Sequence, residues 1–127
     1  RLPNINAAIG VSQIENLETK LYYKRLLHKK YVDIFSDSDE IEIINEKENC
    51  RSNYWLNTII AEDIGHRDGI LKDTNTSKVM TRPAWNPMHT LSFNKKFQTD
   101  SLENTQWLFE RLVNLPSSIK GSPYESF

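Results

Sequence analysis

The sequence predicts a small α+β domain in which a mostly antiparallel sheet has helices packed on one face and is preceded by a long helix. The 127 residues are enough for one domain with one core. Apolar residues make up 38% of the chain and charged residues 26%, which is the composition of an ordinary globular protein. After a long helical segment, strand-like and helical segments alternate, and this order favours one sheet with a layer of helices.

Residues 5–35 are predicted to be helical and to be divided into two helices. Asn4 is a suitable N-cap for the first helix, and Ser12 and Glu15 have the spacing of a capping box, which can begin the second. Apolar residues then recur at steps of three and four, which indicates a buried face. The members of this face are Ile14, Leu17, Leu21, Leu27, Tyr31 and Ile34.

The densest group of basic residues lies in the second of these helices, at Lys24, Arg25 and residues 28–30. Lys24 and Arg25 interrupt the apolar face, so the middle of the helix is predicted to be exposed, and His28 is predicted to lie at the surface. We interpret the group as a solvated helix face rather than a phosphate-binding patch. The chain carries 16 basic and 17 acidic side chains, a balance that gives no electrostatic reason to expect nucleic acid as a partner.

The rest of the chain is predicted to form four strands and two further helices. Residues 54–61 are the strongest strand, because they are rich in aromatic and β-branched residues, and Trp55 is interpreted as a core residue within it. Pro83 is expected to end the third strand, because proline has no N–H for the ladder. Ser101 is expected to cap the last helix. The predicted strands are residues 41–44, 54–61, 79–82 and a final strand closed by residues 115–116, and the predicted helices are residues 67–73 and 101–113.

The one cysteine, Cys50, cannot form an internal disulfide, and no cysteine or histidine spacing suggests a zinc site. No apolar run approaches the roughly 18 residues of a membrane span, and no signal-peptide pattern is present. We therefore expect a cytoplasmic protein with no bound metal and no membrane contact. Because Arg1 is not a methionine and leads directly into structured-looking sequence, we also expect a fragment or an excised domain, although terminal processing gives the same appearance.

The sequence contains no self-sufficient catalytic motif. No nucleophile with a base, no paired carboxylates and no glycine-rich phosphate loop can be identified, and the four glycines are too few for such a loop. His66 is interpreted as a capping or solvated residue. Cys50 lacks a basic partner that would activate its thiol.

Residues 82–89 form the one loop with the composition of a binding site. They combine a cation, an aromatic ring, two prolines and a histidine directly after a predicted strand. Prolines stiffen a loop by fixing φ, and stiff loops at strand ends often present binding groups. At this level a binding loop and a structural loop around a packed tryptophan both remain open.

Several segments, taken in order, resemble the DegT/StrS family of sugar aminotransferases. Residues 1–10 (RLPNINAAIG) with residues 13–15 (QIE) are similar to the family's stretch Asn-Tyr-Arg-x-x-x-x-x-Ala-Ala-x-Gly-x-x-Gln-Leu, whose first two residues fall before Arg1. The segments similar to the branch that acts in bacterial legionaminic-acid-type sugar pathways are residues 53–57 (NYWLN), 66–68 (HRD) and 81–89 (TRPAWNPMH), and residues 115–118 (LPSS) are similar to the closing strand of the family.

The resemblance implies that residues 1–118 are the small C-terminal domain of the type I aminotransferase fold, with residues 119–127 as a tail. Such enzymes are homodimers with the active site at the subunit interface. They use pyridoxal phosphate (PLP) to move an amino group from L-glutamate to a keto group of a nucleotide-linked 6-deoxy sugar, in surface-polysaccharide or nonulosonic acid biosynthesis. Their Schiff-base lysine lies in the large domain, so this chain is expected to contain no catalytic residue, to bind no cofactor and to be inactive alone.

The resemblance also implies roles for four residues. Arg1 matches the motif arginine that reaches toward the neighbouring subunit's active site, where it can hold a phosphate or carboxylate of substrate or cofactor. His89 matches the histidine of the small-domain loop that faces the substrate, and we expect it to contact a carboxylate or sugar rather than to transfer a proton. Arg82 and Trp85 are expected to line the same loop as further substrate contacts.

Two other functions are open. The chain can be a stand-alone module that binds a nucleotide sugar or a protein without catalysis. A small hydrolase that uses Cys50 or His89 is a third reading.

Overall fold

The computed structural model describes residues 2–119, so the expectations for Arg1 and for the tail beyond residue 119 lie outside the described residues. The elements in chain order are helices α1 (Asn4–Glu15) and α2 (Leu17–Phe35), strands β1 (Ile41–Ile43) and β2 (Asn57–Ala61), helix α3 (Ile64–Thr76), strand β3 (Arg82–Pro83), a 3-10 turn (Met88–Thr90), helix α4 (Glu103–Phe109) and strand β4 (Leu112–Leu115). A long helical segment followed by alternating strands and helices is therefore what the chain forms.

The four strands form one antiparallel sheet in the order β1-β2-β4-β3. Ile59 in β2 pairs with Ile43 on one side and with Val113 on the other, and such paired residues project to the same face of the sheet. Together with Leu115, these side chains form the buried core. The side chains of α2 and α3 that pack against this core are Tyr31, Val32, Phe35, Ile70 and Leu71. The prediction of a small α+β domain with a mostly antiparallel sheet is confirmed.

The long helical segment is divided at Asn16, where the backbone leaves the helical conformation (φ −102°, ψ 6°). The side-chain amide of Asn16 donates to the carbonyl of Ser12 (2.8 Å), so the junction falls one residue beyond the predicted capping box. α1 begins at Asn4 with Pro3 as its N-cap residue. Asn4 is therefore the first helical residue, and the prediction that it caps the helix is wrong.

Two of the predicted strands begin later than the sequence indicates. β2 begins at Asn57 rather than at residue 54, because Tyr54 adopts a φ of 45°, in the left-handed region that strands do not use. β3 begins only at Arg82 and ends at Pro83 as predicted, although Pro83 is itself part of the strand and pairs with Val113 of β4. A proline is tolerated there because β3 is an edge strand.

The last helix is shorter than predicted, because residues 112–115 belong to β4. The N-cap residue of α4 is Leu102, with a φ of 56°, so the prediction that Ser101 caps this helix is wrong. Leu108 and Leu112 have helical spacing, but β4 lies between β2 and β3, where Val113 is fully buried. Pairing with two strands outweighs the local preference for helix.

α3 extends the predicted helix, residues 67–73, at both ends. Its N-cap is Asp63, whose carboxylate accepts a hydrogen bond from the backbone N–H of His66 (2.8 Å). His66 therefore lies in the first turn of α3 and takes part in the cap through its backbone. Arg67 is buried and donates to the carbonyl of Phe109 (2.8 Å), which joins α3 to the end of α4.

Candidate functional site

The loop that follows β3 carries three of the predicted site residues but distributes them between two recesses. Arg82 and Trp85 line the first, a recess of about 810 Å³ between this loop and the end of β4. His89, in the 3-10 turn, lines the second together with residues that precede α4. We call these the tryptophan recess and the histidine recess. Arg1, the fourth predicted site residue, lies outside the described residues.

The tryptophan recess has a mostly apolar lining, to which Leu56, Met80 and Leu115 contribute. Asn114 is polar, but its amide already donates to the carbonyl of Pro83 (3.3 Å) and its carbonyl accepts from the Thr58 hydroxyl (2.9 Å). An apolar cavity with few polar groups is the usual composition of a small-molecule site.

The indole ring of Trp85, which lines this recess, stacks with that of Trp55, with ring centroids 6.2 Å apart and planes inclined by 22°. Trp55 is 67% exposed and Trp85 is 71% exposed. The interpretation of Trp55 as a core residue in a strand is wrong, because β2 begins only at Asn57 and the alternation of a strand does not extend to Trp55. Trp55 is a site residue that the sequence reasoning missed, and no local pattern joins two tryptophans so distant in the chain.

The guanidinium of Arg82 is anchored at one of its three nitrogens. Its Nη1 donates to Oδ1 of Asn75 (3.1 Å) and to the carbonyl of Thr81 (3.0 Å). The amide of Asn75 in turn donates to the hydroxyl of Thr81 (3.0 Å), so the end of α3 holds both groups in place. Among the described residues, Nε and Nη2 of Arg82 make no hydrogen bond, and they remain available to an anion.

His89 is half-buried in the histidine recess, which consists of two adjoining cavities of about 600 and 620 Å³. Thr99, Asp100 and Leu102 line both cavities with it. Within residues 2–119, the ring of His89 makes no hydrogen bond or ion pair. Both ring nitrogens can therefore form hydrogen bonds with a ligand. The two recesses have no lining residue in common, so His89 and Arg82 would contact different groups of that ligand.

A second histidine, His28 of α2, is buried, and the prediction that it lies at the surface is wrong. Its Nδ1 is 3.0 Å from Oδ1 of Asn57, its Nε2 is 2.9 Å from Oδ1 of Asn45, and its ring stacks on Tyr54 with centroids 3.7 Å apart. The spacing of the helix could have indicated this burial, since position 28 lies three residues before Tyr31, on the same face of α2.

The two cations that interrupt the apolar face of α2 are also packed against the domain. Lys24 donates its amine protons to the carbonyls of Trp55 and Ser117, and burial lowers the pKa of Lys24. Arg25 forms an ion pair with Glu46, with Nη1 at 3.1 Å from Oε2, and its guanidinium lies over the Tyr54 ring at 5.4 Å. The interpretation of this part of the basic group as a solvated face is wrong.

Glu46 links α2 to the segment that precedes β2. Its carboxylate accepts from Arg25 and from the backbone N–H of Ser52 (2.7 Å). The hydrogen bond from Arg25, and after it the one from Ser52, lower the pKa of Glu46 to about 2. We call Lys24, Arg25, His28, Glu46, Tyr54 and Asn57 the polar cluster. It holds the backbone on both sides of Trp55, and thereby presents this indole to Trp85.

The described residues do not fit PLP as a group that they hold by themselves. PLP enzymes bind the cofactor through a lysine amine, and neither recess has a lysine among its described lining residues. Lys24 is partly buried, but its amine is already bonded to two backbone carbonyls. No group of three or more histidine, cysteine or acidic side chains within residues 2–119 could hold a metal ion, and none of the described helices is long and apolar enough to cross a membrane.

A model of the DegT/DnrJ/EryC1/StrS aminotransferase family matches residues 1–123. The GDP-perosamine synthase of Escherichia coli O157:H7 is 27% identical over 121 residues, which are 92% of this chain and 31% of that protein. The GDP-perosamine synthase of Vibrio cholerae is 28% identical over 120 residues, which are 92% of this chain and 32% of that protein. The chain therefore spans about a third of the length of the curated relatives it matches.

The fold is that of solved sugar-aminotransferase structures. Helicobacter pylori PseC, an aminotransferase involved in the biosynthesis of pseudoaminic acid, superposes with a TM-score of 0.85 at 17% identity, over 97% of this chain and 34% of that chain. The aminotransferase TlmJ from Streptoalloteichus hindustanus superposes with a TM-score of 0.83 at 21% identity, over 94% of this chain and 32% of that chain. At these identities the structural similarity concerns the fold alone.

Proposed function

The chain belongs to the DegT/DnrJ/EryC1/StrS aminotransferase family, and on that premise we propose that it is the C-terminal small domain of a PLP-dependent nucleotide-sugar aminotransferase. Residues 1–118 form this domain and residues 119–127 a tail. The full-length enzyme moves an amino group from L-glutamate to a keto group of a nucleotide-linked 6-deoxy sugar, in surface-polysaccharide or nonulosonic acid biosynthesis. It works as a cytoplasmic homodimer.

The observation that carries the proposal is the composition of the tryptophan recess. The guanidinium of Arg82 and the aromatic ring of Trp85 can bind a substrate in this apolar setting. The described lining residues include no lysine. A domain built in this way can hold a substrate beside a reaction, but it cannot supply the amine that the reaction needs. The chain covers only about a third of the length of its relatives, which agrees with a catalytic amine supplied by another part of the full-length protein.

The four predicted site residues take different parts in this proposal. Arg82 and Trp85 contact the substrate from the tryptophan recess, and His89 contacts it from the histidine recess. Because the two recesses share no lining residue, these groups bind separate parts of one ligand. Arg1 contacts substrate and cofactor at the active site of the neighbouring subunit, where its guanidinium suits a phosphate or carboxylate.

PLP, when bound, supplies the electron sink that aminotransfer requires. In this proposal the remaining two thirds of the full-length protein hold it, and the residues of this chain bind and orient the nucleotide sugar. The side chain of His89 positions a carboxylate or sugar hydroxyl and carries no proton between reactants. The 127-residue chain is therefore inactive by itself.

The test compares this chain with the full-length protein, using L-glutamate labelled with ¹⁵N and a 4-keto-6-deoxy nucleotide sugar. The full-length protein is expected to transfer the label to the sugar, and the chain alone is not. Borohydride reduction in the presence of PLP, followed by mass spectrometry of tryptic peptides, is expected to leave no lysine of this chain modified. Label transfer by the isolated chain, or a PLP-modified lysine within it, would contradict the proposal.

One observation favours the second candidate, a binding module without catalysis. The tryptophan recess combines a guanidinium, an aromatic ring and apolar side chains, a composition that can bind a ligand without catalysis. Isothermal titration of the isolated chain with UDP-linked and GDP-linked sugars distinguishes the two functions. Micromolar binding by the chain, with no activity of the full-length protein, would favour the module over the enzyme.

A further inference from the structure

We propose that Trp55 and Trp85 together form one stacking surface for the planar base of the nucleotide, with Arg82 beside it for the phosphate. The inference rests on the proposed function, because it assigns the nucleotide part of the same substrate to a defined place. It adds Trp55 to the site, on a segment that is distant in sequence from the loop of Arg82 and Trp85. The probe chemistry that it specifies is a nucleoside diphosphate.

The first observation is that two large aromatic rings are exposed side by side. Trp55 is 67% exposed and Trp85 is 71% exposed. An aromatic side chain that is buried removes roughly 150–250 Å² of surface from water, and most of the surface of these two indoles stays in contact with water. Their ring planes are within 22° of parallel. A flat ligand that stacks on one indole therefore lies nearly parallel to the other.

The second observation is that the backbone that carries each ring is held before any ligand arrives. Around Trp55, the backbone N–H donates to Oδ1 of Asn53 (3.0 Å) and the carbonyl accepts from Lys24 (3.3 Å). Trp85 lies between Pro83 and Pro87, whose rings fix φ on either side of it. A surface that is already ordered loses little conformational entropy on binding.

The third observation concerns two polar groups of the recess, Asn114 and Ser117, whose hydrogen bonds within the domain make them unavailable to a sugar ring. A pyranose presents several hydroxyls that each need a partner when they leave water. The amide of Asn114 is occupied by Thr58 and Pro83, and the hydroxyl of Ser117 is 2.8 Å from the backbone N–H of Asn57. A nucleobase needs chiefly an aromatic face, because any base can stack through its π system.

The fourth observation is the cation next to this surface. Arg82 lines the same recess as Trp85, and its Nε and Nη2 have no hydrogen-bond partner within the described part of the chain. These two nitrogens form the edge of a guanidinium that binds phosphate in a bidentate manner. A planar base joined to a phosphate is the ligand that matches both features.

The experiment measures binding of UDP, GDP and ribose 5-phosphate to the full-length protein by isothermal titration, for the wild type, Trp55→Ala, Trp55→Phe and Tyr22→Ala. Loss of base stacking is expected to weaken UDP or GDP binding about tenfold in Trp55→Ala, whereas Trp55→Phe keeps most of the affinity. Tyr22 is an exposed aromatic residue of α2 outside the recess, and Tyr22→Ala is expected to bind as the wild type does. Ribose 5-phosphate, which has no base, is expected to be insensitive to all three changes.

The kinetics of the same proteins add a second measurement, in which Trp55→Ala raises the KM for the nucleotide sugar and leaves the KM for L-glutamate and kcat unchanged. Nucleoside diphosphate affinity that is equal in the wild type and Trp55→Ala would overturn the inference, and so would an equal loss of ribose 5-phosphate binding. A full-length protein that binds UDP or GDP through Trp55 but transfers no amino group would contradict the proposed function and leave the stacking surface standing.

Discussion

The imidazole ring of His28 lies on the phenol ring of Tyr54, with centroids 3.7 Å apart and planes inclined by 12°. This contact joins the middle of α2 to the segment just before β2. Tyr54 has a positive φ of 45°, a strained conformation for a tyrosine, and the stacking against a buried ring holds it there. The next residue is Trp55, so the exposed indole owes its position to a buried histidine.

His28→Ala is expected to lower the free energy of unfolding by about 2–4 kcal/mol, because it leaves the buried side-chain oxygen of Asn57 without its partner and removes the ring contact with Tyr54. Urea unfolding followed by circular dichroism measures the change. The neighbouring exposed residue provides the control, and Lys29→Ala is expected to stay within about 0.5 kcal/mol of the wild type. Equal stabilities of the two variants would show that His28 is not part of the polar cluster.

The ion pair of Arg25 and Glu46 makes the folding stability of the domain depend on pH, in a direction that follows from the pKa of Glu46. The pKa of Glu46 falls from its ordinary value of 4.5 to about 2 in the folded chain. A carboxyl with a depressed pKa in the folded state contributes stability above its unfolded pKa and loses it as the pH falls toward the folded value. The contribution of Glu46 is therefore complete above pH 4.5 and disappears between pH 4.5 and about 2.

Glu46→Gln isolates this contribution from those of other carboxyl groups. The variant is expected to have a lower Tm than the wild type at neutral pH, and the difference in Tm is expected to shrink as the pH approaches 2. Glu48→Gln, at an exposed position of the same segment, is the control. A difference in Tm that does not depend on pH would contradict the assignment of this ion pair.

Lys24→Met is expected to loosen the indole pair without unfolding the domain. The change removes the amine that bonds to the carbonyls of Trp55 and Ser117. The coupled indole signal in near-ultraviolet circular dichroism, which arises from two stacked tryptophans, is expected to decrease, whereas the far-ultraviolet spectrum stays the same. Lys29→Met, on the same helix, is expected to leave both spectra unchanged; an unaltered indole signal in Lys24→Met would rule out the positioning role of Lys24.

His89→Ala in the full-length enzyme is expected to reduce turnover of the nucleotide sugar and to leave PLP bound. The reason is that His89 faces its own recess, whose described lining contains no lysine to bind the cofactor. The PLP absorbance of the purified variant and its steady-state kinetics are the two measurements. Loss of the cofactor on this replacement would place His89 at the PLP site instead.

Features that depend on neighbouring residues could be predicted from the sequence, whereas contacts between residues distant in the chain could not. The helix α2 was predicted from the spacing of Leu21, Leu27 and Tyr31, which is a local property. The predicted buried face was only partly right, because Ile14, Leu17 and Ile34 are exposed. The burial of His28 was missed although its spacing from Tyr31 indicates it, and its partner Asn57 could not be predicted because it is 29 residues away in the chain. The partner of Lys24 at Ser117 is 93 residues away. In the sequence, a cation such as Lys24 only interrupts the apolar pattern of the helix. In the structure, the same cation is hydrogen-bonded to the carbonyls of Trp55 and Ser117.

The same reasoning applies to the candidate site. From composition alone, residues 82–89 could be a binding loop or a structural loop, and the structure places Arg82 and Trp85 in one recess. The loop also turns after Pro87, which sends His89 to a different recess, and composition alone contains no information about that turn. Trp55 was misjudged because the aromatic and β-branched run continues past the point where the backbone of Tyr54 prevents a strand.

The sequence by itself determined the α+β class, the order of helices and strands and the family resemblance, because hydrophobic periodicity and ordered motifs are carried by neighbouring residues. The tertiary structure alone decided where β2 and β4 begin, which polar side chains of α2 are buried, and that two tryptophans distant in the chain share one surface. Those features depend on pairing between segments, whose free energy exceeds the local preferences that a sequence pattern records.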